Sequence, residues 1–195
     1  MKKALIGNGG HAREVQTQMN IELFRFVSDD YWKEGDNRVL PLSKFDADKY
    51  IVMVAVANSK DRQNIVNQLP VDTQYFTFIH PTAQLMSDNI TIGKGSFIGA
   101  NSIITFNVEI GSHSLLNRAN HIGHDCRIDD YFSAMPGSIV SGNVNLGNCV
   151  YLGANSSIRE NLNICDDVII GLNSGVVKNI VDSGVYVGSP CKKIK

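Results

Sequence analysis

From Ile92 onward an apolar residue returns at every sixth position. The series reads Ile92, Ile98, Ile104, Ile110, Leu116, Ile122, Ile128, Ala134, Val140, Leu146, Leu152, Ile158, Ile164, Ile170 and Val176. Apolar residues make up 43% of the chain, so an unbroken run of that length has a chance probability on the order of 10⁻⁶. Two positions before each member stands a small or β-branched residue in most repeats: Ser96, Ser102, Val108, Ser114, Ser138, Val144, Val150, Ser156, Val168 and Ser174. Residues two apart in a strand share a face, so both sets are expected to point inward. Glycine recurs one position after the aliphatic residue, at 93, 99, 111, 123, 147, 153 and 171. There it is expected to make a corner with unusual φ. The pattern predicts short strands, joined by tight corners and stacked coil on coil.

Residues 1–80 lack this period. Lys3–Ile6, Phe24–Val27, Tyr50–Val56 and Tyr75–Ile79 read as strands, and Ala12–Met19 and Lys60–Leu69 as helices. Alternating strand and helix predicts a small parallel α/β domain. His80-Pro81 marks the expected junction, giving units of 1–80 and 81–195. Gly7-x-Gly9-x-x-Ala12 follows the first strand, with Asp29 about 20 residues on, as in dinucleotide sites. Such a loop at a helix N-terminus suits a pyrophosphate, and Asp29 or Asp30 a ribose or base donor. A plain tight turn is the alternative, and the unit is half the size of a full dinucleotide-binding fold.

Formal net charge is −1 with scattered Lys and Arg, which gives no basic face for nucleic acid. No apolar run approaches the length of a membrane span, and no signal-peptide core follows Met1. Four cysteines without a CxxC pair read as reduced thiols in the cytoplasm.

The repeat resembles that of the hexapeptide-repeat acyltransferases. The resemblance implies triangular coils of eighteen residues, wound left-handed against the usual crossover rule. The run would then hold about five coils at roughly 4.8 Å each. Gly7-Asn8-Gly9-Gly10-His11, Ser28-Asp29-Asp30, Ala57-Asn58 with Arg62, His80-Pro81, Asn117, His124-Asp125-Cys126, Ser141-Gly142-Asn143-Val144 and the tail from Val187 carry the likeness further. Together they resemble the bacterial nucleotide-amino-sugar N-acetyltransferases (PglD type) and the sialic acid O-acetyltransferases (NeuD type). The implied organisation is a Rossmann-like α/β domain ahead of a left-handed β-helix, assembled as a homotrimer in the cytoplasm, feeding surface-glycan synthesis. The implied reaction moves acetyl from acetyl-CoA to the amine of a UDP- or dTDP-linked 4-amino-4,6-dideoxyhexose. O-acetylation of a sialic acid is the nearest rival, and a non-catalytic β-helix binding module a more distant one.

In this resemblance His124 is the base and Asp125 its orienting carboxylate. A histidine removes the proton of an attacking amine, and a carboxylate fixes its tautomer. Gly7, Asn8, Gly9, Gly10, His11, Asp29, Asp30, Asn58, Arg62 and Asn117 are the expected sugar-nucleotide contacts. Ser133, Gly142, Ala154, Gly171, Gly188, Pro190 and Lys192 are the expected coenzyme contacts. Ser133 stands where the amino-sugar enzymes commonly carry a second histidine, and Cys191 where the closing segment normally has alanine. Cys126 falls at an inward phase and reads as core. The spacing of His121 and His124 is too short for a shared zinc site, and no metal is expected.

Overall fold

A computed structural model describes residues 1–195. The N-terminal part is a five-stranded sheet: β1 (Lys2–Ile6), β2 (Phe24–Val27), β3 (Val39–Pro41), β4 (Tyr50–Val54) and β5 (Gln74–Tyr75). All its pairings are parallel, in the order β3-β2-β1-β4-β5. Ala4, Leu5 and Ile6 of β1 and Val52, Met53 and Val54 of β4 are all buried. Such runs are apolar on both sides, as a parallel sheet covered on both faces requires. Helix α1 (Gly10–Met19) buries Ala12, Val15 and Met19. Helix α2 (Ser59–Gln68) is capped by Asn58, whose side-chain oxygen accepts from Asp61 N at 3.0 Å.

The rest is a prism of stacked coils with three parallel faces. Between Ile90 and Val176 the register along each face advances by eighteen: Leu115 pairs with Ser133, and Ser133 with Tyr151; it shifts at the ends, where Phe78 pairs with Phe97 and Val168 with Gly184. Fourteen of the fifteen aliphatic positions are buried, and Ile92, in the first coil, is partly so. Ser96, Ser102, Ser114, Ser138, Ser156 and Ser174 are buried beside them. Their hydroxyls satisfy corner backbone; Ser138 Oγ, for instance, donates to Gly153 O at 3.0 Å.

The faces differ in what they turn outward. One presents Phe97, Leu115, Ser133, Tyr151 and Ile169, and carries the α/β unit; we call it the docked face. The next presents Ile103, His121, Ile139 and Ser157, and is called the mixed face. The third, the polar face, presents Glu109, Arg127, Asn145 and Asn163.

Two expectations are corrected. The recurrent glycines do not supply the unusual φ. Positive φ falls two residues later, three after each aliphatic residue, from Asn101 (59°) through Asp125 (59°) to Asn173 (52°). Asparagine dominates there because its short polar side chain tolerates the left-handed region. The glycines answer to stacking instead. A Cβ on Gly93 would lie 2.4 Å from Ser112 N, and one on Gly153 2.5 Å from Leu172 N. The predicted strand over Tyr75–Ile79 also divides: β5 closes the α/β sheet, while Phe78–Ile79 pairs with Phe97–Ile98 in the prism. The coils therefore begin before His80-Pro81.

Phe97, on the docked face, is 2% exposed and packs with Leu5, Ala12, Val15 and Met53. The α/β core is thus completed by a prism residue. Helix α2 adds a polar lock. Arg62 is 1% exposed. Its guanidinium donates to His113 O (2.7 Å), Tyr131 O (2.9 Å), Phe132 O (2.9 Å) and Ser133 Oγ (2.8 Å) on the prism. Within its own unit it donates to Val56 O at 2.6 Å.

Two histidines sit in this junction. His113 is 3% exposed, stacked on Tyr131 with Tyr75 edge-on. Burial, then Arg62 and Lys94, lower its pKa from 6.5 to about 4. Burial, then Arg62, bring His11 to about 4 as well. Both rings are neutral when docked, whereas in the unfolded chain they gain a proton near pH 6.5. The stability they permit is complete above pH 6.5 and falls as pH drops toward 4, by on the order of 3 kcal/mol for each ring. The thermal midpoint of the wild type should fall steeply between pH 7 and 4.5. In His113→Phe, which keeps the stack without the basic nitrogen, the fall should be visibly shallower; equal slopes would refute this account.

Candidate active site

His124 occupies the corner between the mixed and polar faces, two residues after Ile122, and its side chain is 65% exposed. Its Nδ1 lies 2.8 Å from Asp125 Oδ2. Neighbours in an extended strand point to opposite sides, but Asp125 has φ of 59°, and this left-handed turn swings its carboxylate back to the ring. The other carboxylate oxygen, Oδ1, accepts from Asn107 Nδ2 at 2.6 Å. Asn107 stands one coil earlier. Its hydrogen bond, then that of His124, hold the Asp125 carboxyl below its ordinary pKa. An ionised carboxylate only accepts, so the His124 proton sits on Nδ1 and Nε2 keeps its lone pair outward.

Gly142 lies one coil on, beneath the ring. A Cβ there would come within 2.5 Å of His124 Nε2. The Gly142 N–H donates to no backbone carbonyl, whereas the corner N–H groups of Ser112 and Asn148 are taken by Asp130 and Asp166. Cys126 is fully buried, its thiol pushed up by burial and its Sγ 3.2 Å from Ser141 O, a core residue as its phase implied.

The glycine loop leads from β1 into α1. Gly7 has φ of 119°. Gly9 and Gly10 face open space, and no side chain caps the helix. The first N–H groups of α1 are therefore free to meet a ligand. Asp29 is held by Ser43, through its backbone N–H at 3.2 Å and its hydroxyl. Asp30 is exposed. Asn58 spends its oxygen on capping α2. Asn117 is 4% exposed; its Oδ1 accepts from Arg118 N at 2.7 Å and its Nδ2 donates to Glu14 at 3.4 Å.

Arg62 and Ser133 do not stand where ligand contacts would. Arg62 is buried with its guanidinium committed to protein oxygens. Ser133 is fully buried, accepting from Arg62 and donating to Ala57 O at 2.8 Å. Both lock the two units together, because this stretch of the docked face lies under α2. The remaining coenzyme candidates separate. Gly142 shares the corner of His124. Ala154 and Gly171 lie on the corner between docked and mixed faces, with the tail closing over it: Gly175 N donates to Gly188 O at 3.0 Å. Pro190 and Lys192 are exposed there.

The α/β unit reaches both corners of the docked face, through Gln18 to Ala100 N on one side and Arg62 to Tyr131 O on the other. His124 stands at the third corner. Within one chain the glycine loop and His124 are thus on opposite sides of the prism. A concavity of about 650 Å³ lies on the polar face around Asn145, Asn163 and Asn179 and excludes His124. Sequence reasoning missed Asn107 and Glu14; subtracting eighteen from Asp125 would have found Asn107.

No protein-family model matches the chain. It is 26% identical over 171 residues to the GDP-perosamine N-acetyltransferase of Escherichia coli O157:H7, covering 80% of this chain and 77% of that one. WeeI from Acinetobacter baumannii AYE superposes with a TM-score of 0.88 at 25% identity over the whole of both chains. A histidine-to-asparagine variant of perosamine N-acetyltransferase from Caulobacter crescentus, in complex with CoA and GDP-perosamine, superposes at 0.85 with 22% identity, over 100% of this chain and 97% of that one. The stacked parallel faces and these neighbours fit a left-handed β-helix. In repeat, architecture and relatives, the chain is similar to the hexapeptide-repeat sugar acetyltransferases, enzymes that use acetyl-coenzyme A.

Proposed function

We propose that the protein transfers the acetyl group of acetyl-CoA to the amine of a nucleotide-linked 4-amino-4,6-dideoxyhexose. The observation that carries this is the His124–Asp125–Asn107 chain of hydrogen bonds above a side-chain-free Gly142. His124 Nε2 takes a proton from the amine as its nitrogen attacks the thioester carbonyl. The Gly142 N–H supports the oxyanion. Collapse of the tetrahedral species breaks the C–S bond, and the imidazolium returns the proton to the departing thiolate. No covalent enzyme intermediate is needed.

The nucleotide is held at the open N-terminus of α1, with Asp30 near the ribose or base. Because that loop and His124 face away from each other in one chain, the working site joins two copies, His124 and Gly142 of one meeting the glycine loop, Ala154 and Gly171 of the next. The surface here suits such a contact: Ile139 on the mixed face is 42% exposed, and Phe106, at the His124 corner one coil earlier, is 51% exposed. A trimer closes this head-to-tail arrangement.

Thiol release from acetyl-CoA, measured against GDP-perosamine, UDP- and dTDP-4-amino-4,6-dideoxyhexoses, CMP-sialic acid and sialic acid, tests the reading. Turnover with one amino-sugar nucleotide is expected, and the winner names the base. Turnover with a sialic acid alone would move the protein to O-acetylation, and silence across the panel would overturn the proposal. The shared site has its own test. Mixing inactive His124→Ala chains with chains inactivated in the glycine loop, after dissociation and reassembly, should restore part of the activity; no recovery would place the site within one chain.

A further inference from the structure

Glu14 of α1 sits at a crossing that the proposed reaction does not explain. Its Oε1 pairs with Arg118 of the prism. Its Oε2 accepts from Asn117 Nδ2 at 3.4 Å and lies 3.8 Å from His11 Nδ1. One carboxylate oxygen therefore lies within 4 Å of two candidate sugar contacts from different units. Asn117 is fixed at both ends, since Arg118 N already holds its Oδ1. His11 is different. Its ring is 11% exposed and edge-on to Phe97, and its Nε2 is buried with no partner. A buried polar nitrogen left unpaired is costly unless something else meets it.

We propose that Glu14 is a positioning residue of the acceptor site: it draws the His11 proton to Nδ1 and holds Asn117, so that His11 Nε2 accepts a hydrogen bond from an O–H or N–H of the sugar. This rests on the sugar-nucleotide reading above. The chemistry selects the ligand group. An acceptor nitrogen repels phosphate oxygens, which are acceptors themselves, and welcomes a hydroxyl or amine. The His11 side chain thus reads the sugar, while the backbone N–H groups beside it suit the pyrophosphate. Burial keeps the ring neutral at neutral pH, so one nitrogen holds the proton and the other a lone pair; a proton drawn to Nδ1 leaves the lone pair on Nε2.

Two measurements test this. The first needs no turnover: long-range ¹H–¹⁵N spectra of the histidine rings at pH 7.5. The wild type should show His11 protonated on Nδ1, and Glu14→Ala should move the proton toward Nε2. The second is steady-state kinetics. Glu14→Ala should raise the acceptor KM about ten-fold, the loss of roughly one good hydrogen bond, with the acetyl-CoA KM unchanged. Glu14→Gln, whose amide oxygen still accepts, should recover much of it. Arg118→Gln removes the ion pair but keeps Glu14; it should lower the melting temperature without moving the acceptor KM. The proposal is overturned if the tautomer stays put in Glu14→Ala, or if Arg118→Gln reproduces its kinetic defect, which would make Glu14 a docking contact only. An inactive wild type would defeat the sugar-nucleotide reading, while the spectra would still decide what Glu14 does to His11.

Discussion

Arg62→Met will undock the two halves of the protein. The guanidinium has left water entirely, and burial lowers its pKa to about 10. Its cost in the core is offset by hydrogen bonds to the carbonyls of Val56, Ala57, His113, Tyr131 and Phe132 and to Ser133 Oγ. Methionine fills similar space but donates nothing, so several buried acceptors lose their partner at once. Removing one side of such a network costs about 3–5 kcal/mol. For a chain of this length that is a fall of roughly 10 °C or more in melting temperature. Arg62→Lys keeps the charge but has one point donor where a planar fork is needed, and should recover less than half. The loss should be local. Hydrogen exchange should rise across residues 1–75 and along α2, while the central coils, whose 22-residue core does not involve Arg62, stay protected. A midpoint within about 2 °C of wild type would show that the junction is held by the Phe97 contacts alone.

Arg62 also marks where sequence reasoning stops. The prism was legible because its code is local: each aliphatic residue lies six from the next, and every face repeats the same environment. Even there the unusual φ of the corners falls two residues beyond the glycines that suggest it. Glycine is easily read as the bearer of odd φ, whereas here asparagine and aspartate carry it most often, two positions on, and the glycines next to the aliphatic residues merely clear the next coil. In the α/β unit the apolar strands β1 and β4 announced themselves. The short edge strand β3 did not, since Val39-Leu40-Pro41 has too little length to show a period. The docking of the units was invisible for a different reason. Arg62 meets groups 51 to 71 positions away, and nothing in its neighbours in the chain marks it as buried. A charged residue on a helix ordinarily faces water, so the sequence points Arg62 at the ligand and Ser133 at the coenzyme, whereas the two bond to each other. The His124–Asp125 pair lay at the opposite pole: its residues were plain, but the reach of one to the other depends on a backbone angle that only the corner geometry supplies.

That geometry makes the largest effect on activity specific in form. His124→Ala should lower kcat by about 10²–10⁴-fold, the range for losing a positioned general base, with little change in acetyl-CoA affinity. Asp125→Asn is the sharper probe. Asparagine keeps the size and tolerates φ of 59°, but it can present an N–H to the ring and so favour the wrong tautomer, with the proton on Nε2. Its kcat should fall by about 10²-fold or more while the fold and melting temperature hold. Asn107→Ala, which removes the 2.6 Å bond to Asp125 Oδ1 but leaves the carboxylate, should fall between this variant and wild type. Gly142→Ala pushes the ring from below, since its Cβ would meet Nε2 at 2.5 Å; it should lose activity with His124 and Asp125 intact. The order matters more than any single value. A base held by its carboxylate predicts losses graded His124→Ala, Asp125→Asn, Asn107→Ala, all in kcat. If Asp125→Asn kept full turnover while His124→Ala did not, the imidazole would act without its carboxylate, and the left-handed turn at Asp125 would be no more than a corner of the coil.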